Sequence, residues 1–137
     1  MKSRIRLTRQ DALKFLENGV AKWPSKTLIY LDPPYYIKGR ELYYDFYQHE
    51  DHKKVAAFVT QRIKRQSWIV SYDNVRAIRG LYDTSRYVTY DIGYSARSSR
   101  RGSEIMFFSD ALVVPPLVGP ITAVSKLRTP KADLHGA

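Results

Sequence analysis

Asp32-Pro33-Pro34-Tyr35 is the stretch of this chain with the clearest chemical potential. It follows an apolar run, Leu28-Ile29-Tyr30-Leu31, with the length and β-branched and aromatic character of a buried strand. A residue before proline is pushed out of the helical region, and Pro33-Pro34 keeps the exit extended. The pattern therefore delivers a carboxylate to the C-terminal end of a strand, where open α/β sheets bind their ligands. The Asp32 carboxylate and the Pro33 carbonyl are two acceptors. Two acceptors suit an exocyclic amine such as adenine N6, whose lone pair is delocalised into the ring. Acceptors on both of its N–H bonds draw the nitrogen towards a nucleophilic geometry. Tyr35 can stack on the face of an extruded base. Transfer to such an amine needs no covalent enzyme intermediate, so a chain without cysteine can carry it. The same absence argues against attack at cytosine C5, which relies on a cysteine nucleophile.

The elements that must position this motif follow from the hydrophobic pattern. Ile5-Arg6-Leu7 alternates like a short strand. Thr8 with Asp11 three residues later reads as a helix start, a variant of the capping box, and Leu13, Leu16 and Val20 recur behind it at helical spacing with Ala12 alongside. Asn18-Gly19 offers a stop. Glu50 and Asp51 open a second helix that ends in Arg62, Lys64 and Arg65, acid first and base last as the helix dipole favours. Val55, Val59 and Ile63 form its buried stripe, with Ala56 beside them. Ser67 to Ser71 is the next strand, and Tyr72-Asp73-Asn74 at its end should lie beside Asp32 if the two strands are neighbours. Asp73 or Asn74 is also a good N-cap for a short helix with Val75, Ile78 and Leu81 facing inward. Residues 86–93 and 103–109 are strand-like. The connection between them carries Arg97, Arg100 and Arg101. From Ala111 onward no periodicity is left, and residues 111–137 read as a poorly ordered tail.

The composition sets the class. A chain of 137 residues is one domain. Its 23 basic against 13 acidic residues give +10, which points to a polyanionic partner or simply to a basic solvated surface. Without cysteine there is no disulfide framework and no thiolate metal site. Three scattered histidines lack ligand spacing, so no metal is expected, and His52 suits a capping or supporting role. No membrane-spanning run and no secretory signal are seen, so the expected location is the cytoplasm. The basic loop with Lys38 and Arg40, beside the Asp32 motif, can clamp phosphate or lie solvated.

These stretches together resemble the Dam-like family of N6-adenine DNA methyltransferases. The residues that carry the resemblance are Leu28 to Tyr36, then Leu42-Tyr43-Tyr44-Asp45-Phe46 with Asp51-His52, then Ile69 to Asn74, then Tyr94-Ser95-Ala96-Arg97 leading to Gly102-Ser103-Glu104. They cover about residues 5–110 in the family's order. The resemblance implies a partial Rossmann-like α/β methyltransferase fold whose sheet runs 3-2-1-4-5-7-6. Residues 5–7 correspond to strand 3, 27–32 to strand 4, 67–71 to strand 5, and 86–93 and 103–109 to strands 6 and 7, with 7 antiparallel. It implies a catalytic Asp32-Pro33-Pro34-Tyr35 and S-adenosyl-L-methionine as methyl donor, with Asp32, Phe46 and Asp11 towards it. Asp11 has a helix cap as its other reading, and Phe46 has core packing. It implies DNA as substrate, with Tyr35 and Tyr94 against the base and Arg97, Arg100, Arg101, Lys38 and Arg40 towards phosphate.

Two family features are missing. The donor's methionine end is normally held by a glycine-rich turn after the first strand, where backbone approaches the ligand closely. The seven glycines here, at 19, 39, 80, 93, 102, 119 and 136, make no Gly-x-Gly turn between a strand and a helix. The target-recognition segment is absent too. Residues 1–110 thus resemble the C-terminal catalytic half of the enzyme, with strands 1 and 2 missing. The edge of strand 4 is then expected to be covered by residues 1–20, by a complementing N-terminal half, or by a second copy. The rival expectation is a non-catalytic, basic nucleic-acid-binding remnant.

Overall fold

The computed structural model describes residues 4–37, 39, 47–92, 102–116 and 123–124. In chain order the elements are α1 (Ala12–Gly19), β1 (Leu28–Leu31), α2 (His49–Arg62), β2 (Ser67–Asp73), α3 (Arg76–Leu81), β3 (Arg86–Ile92), β4 (Gly102–Phe108) and β5 (Ala123–Val124). The fold is mixed α/β. One sheet runs β1-β2-β4-β3-β5. β1 and β2 are parallel. β4 is antiparallel to both β2 and β3, and β5 is antiparallel to β3.

The parallel pair needs a crossover, and α2 provides it. Its register is Leu28 opposite Ser67 through Leu31 opposite Val70. Val55, Ala56, Val59 and Ile63 are buried as their helical spacing predicts, and Phe58 of α2 joins them. They pack with Trp68, Val70 and Tyr72 of β2 and Ile105 and Phe107 of β4, alternate residues that share one sheet face. α3 adds Ile78, fully buried, and Tyr82 follows to stack on Phe107 with ring centroids 4.4 Å apart. α1 adds Leu16 to the same core beside Ile29 of β1.

Several local expectations are corrected. Residues 5–7 are not a strand: they are irregular, and Ile5 and Leu7 are 77% and 94% exposed. Alternation alone makes no strand without a partner edge to pair with. α1 starts three residues later than Thr8 implies, because Asp11 is itself the N-cap, its carboxylate accepting the Lys14 N–H at 3.0 Å. Gly19 ends α1 without a left-handed turn; Val20 behind it is still right-handed helical. Its missing side chain makes room for the Trp23 ring, with which a Cβ at this position would collide. α3 is capped by neither Asp73 nor Asn74; its N-cap is Val75, which has no side-chain cap bond. Asp73 is engaged elsewhere and Asn74 turns away from α3, as shown below. β5, two residues long, lies within 111–137, where no element was expected.

Among the described residues nothing pairs with the outer edge of β1. Residues 4–20 do not cover it as a strand. Instead α1 lies alongside, and the two leave an apolar groove of about 370 Å³ lined by Ala12, Phe15, Trp23, Leu28 and Leu31 among others.

Candidate active site

Asp32 is the first residue past β1, and it is exposed. Because β1 and β2 are parallel neighbours, their carboxyl ends lie together. Ser71 of β2 donates its hydroxyl to Asp32 Oδ1 at 3.0 Å. The Ser71 hydroxyl has one proton, so Tyr30, whose hydroxyl lies 3.0 Å from Ser71 Oγ, is the donor of that second bond. A chain of hydroxyls thus orients one oxygen of Asp32.

The segment after Asp32 is tied down from below. Asp73, at the end of β2 and only 8% exposed, accepts the Tyr36 N–H on Oδ1 at 2.7 Å and the Ile37 N–H on Oδ2 at 3.0 Å. Both oxygens of one carboxylate therefore grip consecutive amides of the Asp32 loop. Such charge-assisted bonds are stronger than neutral ones. Asn74 turns the other way, giving its amide N–H to Ser103 Oγ at 3.0 Å, and its Oδ1 caps no amide of α3. Pro33, Pro34 and Tyr35 are half-buried.

A second buried carboxylate stands beside the first. Glu104 of β4 pairs in register with Asp73 and, on its other side, with Tyr90 of β3. Residues directly opposite across antiparallel strands share a face. Glu104 Oε1 accepts the Tyr35 hydroxyl, and Oε2 accepts the Tyr90 hydroxyl at 2.7 Å. Burial pushes the Tyr90 phenol up, and the bond to Glu104 and its charge push it further. Tyr90 therefore stays a donor throughout the neutral range.

On the helix-covered face, His52 is a core residue, 1% exposed, with Nδ1 3.1 Å from the Tyr72 hydroxyl. Its ring lies 5.3 Å from those of Tyr36 and Tyr47 and 5.4 Å from that of Tyr72. It braces the Asp32 loop through Tyr36 and does not cap α2. Burial raises the Tyr72 phenol, the nearby Tyr82 adding to it. Burial raises the Tyr47 phenol, and the charges of Asp11 and Asp51 raise it further.

The structure thus brings together Asp32, Pro33, Pro34 and Tyr35, while Asp11 is engaged as the cap of α1. Lys38, Arg40, Phe46, Tyr94, Arg97, Arg100 and Arg101 lie outside the described residues. Ser71, Tyr30, Asp73, Glu104 and Tyr90 complete the arrangement. Their roles were not assigned from sequence, although two signals pointed to them. Ser71 and Asp73 alternate on one strand face, and Glu104 is a single carboxylate in front of the apolar run Ile105-Met106-Phe107-Phe108. Among the described residues no group of acidic, histidine or cysteine side chains could hold a metal ion, and no helix is long and apolar enough to cross a membrane. No protein-family model and no curated protein matches the chain.

Proposed function

We propose that the chain is the catalytic half of an N6-adenine DNA methyltransferase, of the Dam-like kind its motifs resemble. One observation carries the reading. Asp32 stands exposed at the carboxyl end of β1, one oxygen oriented by Ser71, on a loop gripped by Asp73 and Glu104. A carboxylate held this way can accept from the adenine amine while the Pro33 carbonyl takes the second N–H. Tyr35 stacks on the extruded base. The strand order supports the same reading. β1-β2-β4-β3, with β4 antiparallel to its neighbours, is the order 4-5-7-6 that the resemblance implies.

S-adenosyl-L-methionine is the methyl donor of this reading, and the chain fits it only in part. Asp11 lies at the start of α1, and the groove beside β1 runs from Ala12 to Leu31, next to Asp32. No Gly-x-Gly turn is present for the methionine end. The residues here do not complete that site, and a complementing N-terminal half that also pairs with the β1 edge is the partner this reading requires. What this chain contributes is the amine's two acceptors, a stacking ring and a rigid loop. DNA is the substrate in this reading, and the cationic residues that the sequence carries after the motif, Lys38 and Arg40, and between β3 and β4, Arg97, Arg100 and Arg101, suit its phosphates. The missing glycine turn also favours a second reading, a nucleic-acid-binding module without turnover.

Calorimetric titration of S-adenosyl-L-methionine into the chain, with Asp32→Ala as control, tests the donor side. Micromolar binding that the substitution removes supports a usable donor site. Binding of equal strength in the variant contradicts a role for Asp32 towards the donor.

A further inference from the structure

Tyr35 is held at both ends of its side chain. At its backbone end the next two amides are gripped by Asp73. At its far end the hydroxyl donates to Glu104 Oε1. Glu104 is 8% exposed, and its second oxygen takes the Tyr90 hydroxyl at 2.7 Å. One phenol on each oxygen fixes the plane of the carboxylate, and the β3–β4 pairing fixes Tyr90 in turn. Among the described residues neither Glu104 nor Asp73 has an ion-pair partner. The hydrogen bonds from the loop and from Tyr90 are what compensate these two buried carboxylates.

We propose that Glu104 is the positioning residue for the Tyr35 ring, locking it as the platform on which an extruded base stacks. This rests on the reading of Tyr35 as a stacking residue. It also assigns a division of labour. The Tyr35 hydroxyl's one proton is committed to Glu104, so Tyr35 has no donor left for a base and meets it through its face, and every base has a face to offer. Stacking through Tyr35 is therefore indifferent to base identity. Discrimination for adenine falls to Asp32 and the Pro33 carbonyl, which read the amine.

The test uses the full chain and a short single-stranded oligonucleotide with one 2-aminopurine. Its amine sits at C2 rather than C6, so quenching of its fluorescence reads stacking and not the Asp32 contact. The chain is compared with Glu104→Ala, Tyr35→Phe, the two combined, and Tyr35→Ala. Thermal melts show that each variant is folded, and Tyr35→Phe removes only the hydroxyl if Glu104→Ala fails to fold. The expected result is a loss of about fivefold in the stacked-to-unstacked ratio for Glu104→Ala. Tyr35→Phe should show a similar loss and the double variant no further one, because both remove the same bond. Full quenching in both Glu104→Ala and Tyr35→Phe, with Tyr35→Ala defective, overturns the positioning role and keeps Tyr35 as the platform. Additive losses overturn it too. Unchanged quenching in Tyr35→Ala overturns the platform itself, and the stacking part of the proposed function with it.

Discussion

Asp73→Asn isolates what holds the Asp32 loop. The wild-type carboxylate accepts two amides, one on each oxygen, at 2.7 and 3.0 Å. Asparagine has one acceptor oxygen, so one of the two N–H groups must face an NH₂ donor. A hydrogen bond to a charged group contributes about 1.5–3 kcal/mol. Two effects place this site at the low end. Ile37 is 56% exposed, so water can replace part of the lost bond. Glu104 lies directly opposite Asp73, and removing one of two adjacent carboxylates relieves some repulsion. The expected cost is about 1.5–2 kcal/mol. The loop can open without the sheet unfolding, so the cost is local. Amide hydrogen exchange followed by NMR reads it directly. Protection of the Tyr36 and Ile37 amides should fall about ten- to thirtyfold, at one decade per 1.4 kcal/mol. The Val70 and Ile105 amides, in fully buried strand positions, should change far less. Equal protection at Tyr36 and Ile37 in both proteins, or an equal fall throughout the sheet, would refute the view that Asp73 is the loop's anchor.

Other substitutions probe the supporting parts. Gly19→Ala places a methyl group against the Trp23 ring and should destabilise the chain by about 1–3 kcal/mol in urea unfolding, with Trp23 emission altered; an unchanged midpoint would refute the close approach. Asp51 is held below the usual carboxylate range, first by the Gln48 N–H and then by Lys54. A depressed folded pKa gives stability that is present above the unfolded value, about 3.9, and lost as pH falls through the folded one. Asp51→Asn should therefore flatten this part of the acid limb of a pH–stability curve, and a curve unchanged below pH 4 would contradict the cap. Ser71→Ala removes the hydroxyl from Asp32 and should cost about 0.5–1.5 kcal/mol of stability. Its larger effect should be weaker discrimination for adenine, because Asp32 is then free to rotate.

Much of the fold was legible because its core elements have strong periods. The Val55, Val59, Ile63 stripe placed α2, and the apolar runs before Asp32 and at residues 67–71 placed β1 and β2. The site was half legible. Asp32 to Tyr35 declare themselves through proline geometry and residue type. Asp73 did not, since an Asp before a short helix looks like a cap in sequence; only the β1–β2 adjacency shows that two loop amides compete for it and win. Glu104 needed the order β2-β4-β3, which brings residues 35, 73, 90 and 104 to one place from four separate stretches. The 5–7 alternation misled for the opposite reason: a short period-2 pattern has no meaning without an edge to join.

The central claim is that Asp32 and the Pro33 carbonyl receive an adenine amine. It is tested most directly by the affinity of the chain for two short single-stranded oligonucleotides. They are identical except that one carries adenine and the other carries purine, which lacks the amine. Tighter binding of the adenine strand by about tenfold or more is expected, the low end of what a hydrogen bond to a charged group contributes, with loss of that preference in Asp32→Ala. Equal affinity for both strands in the wild-type chain would contradict it.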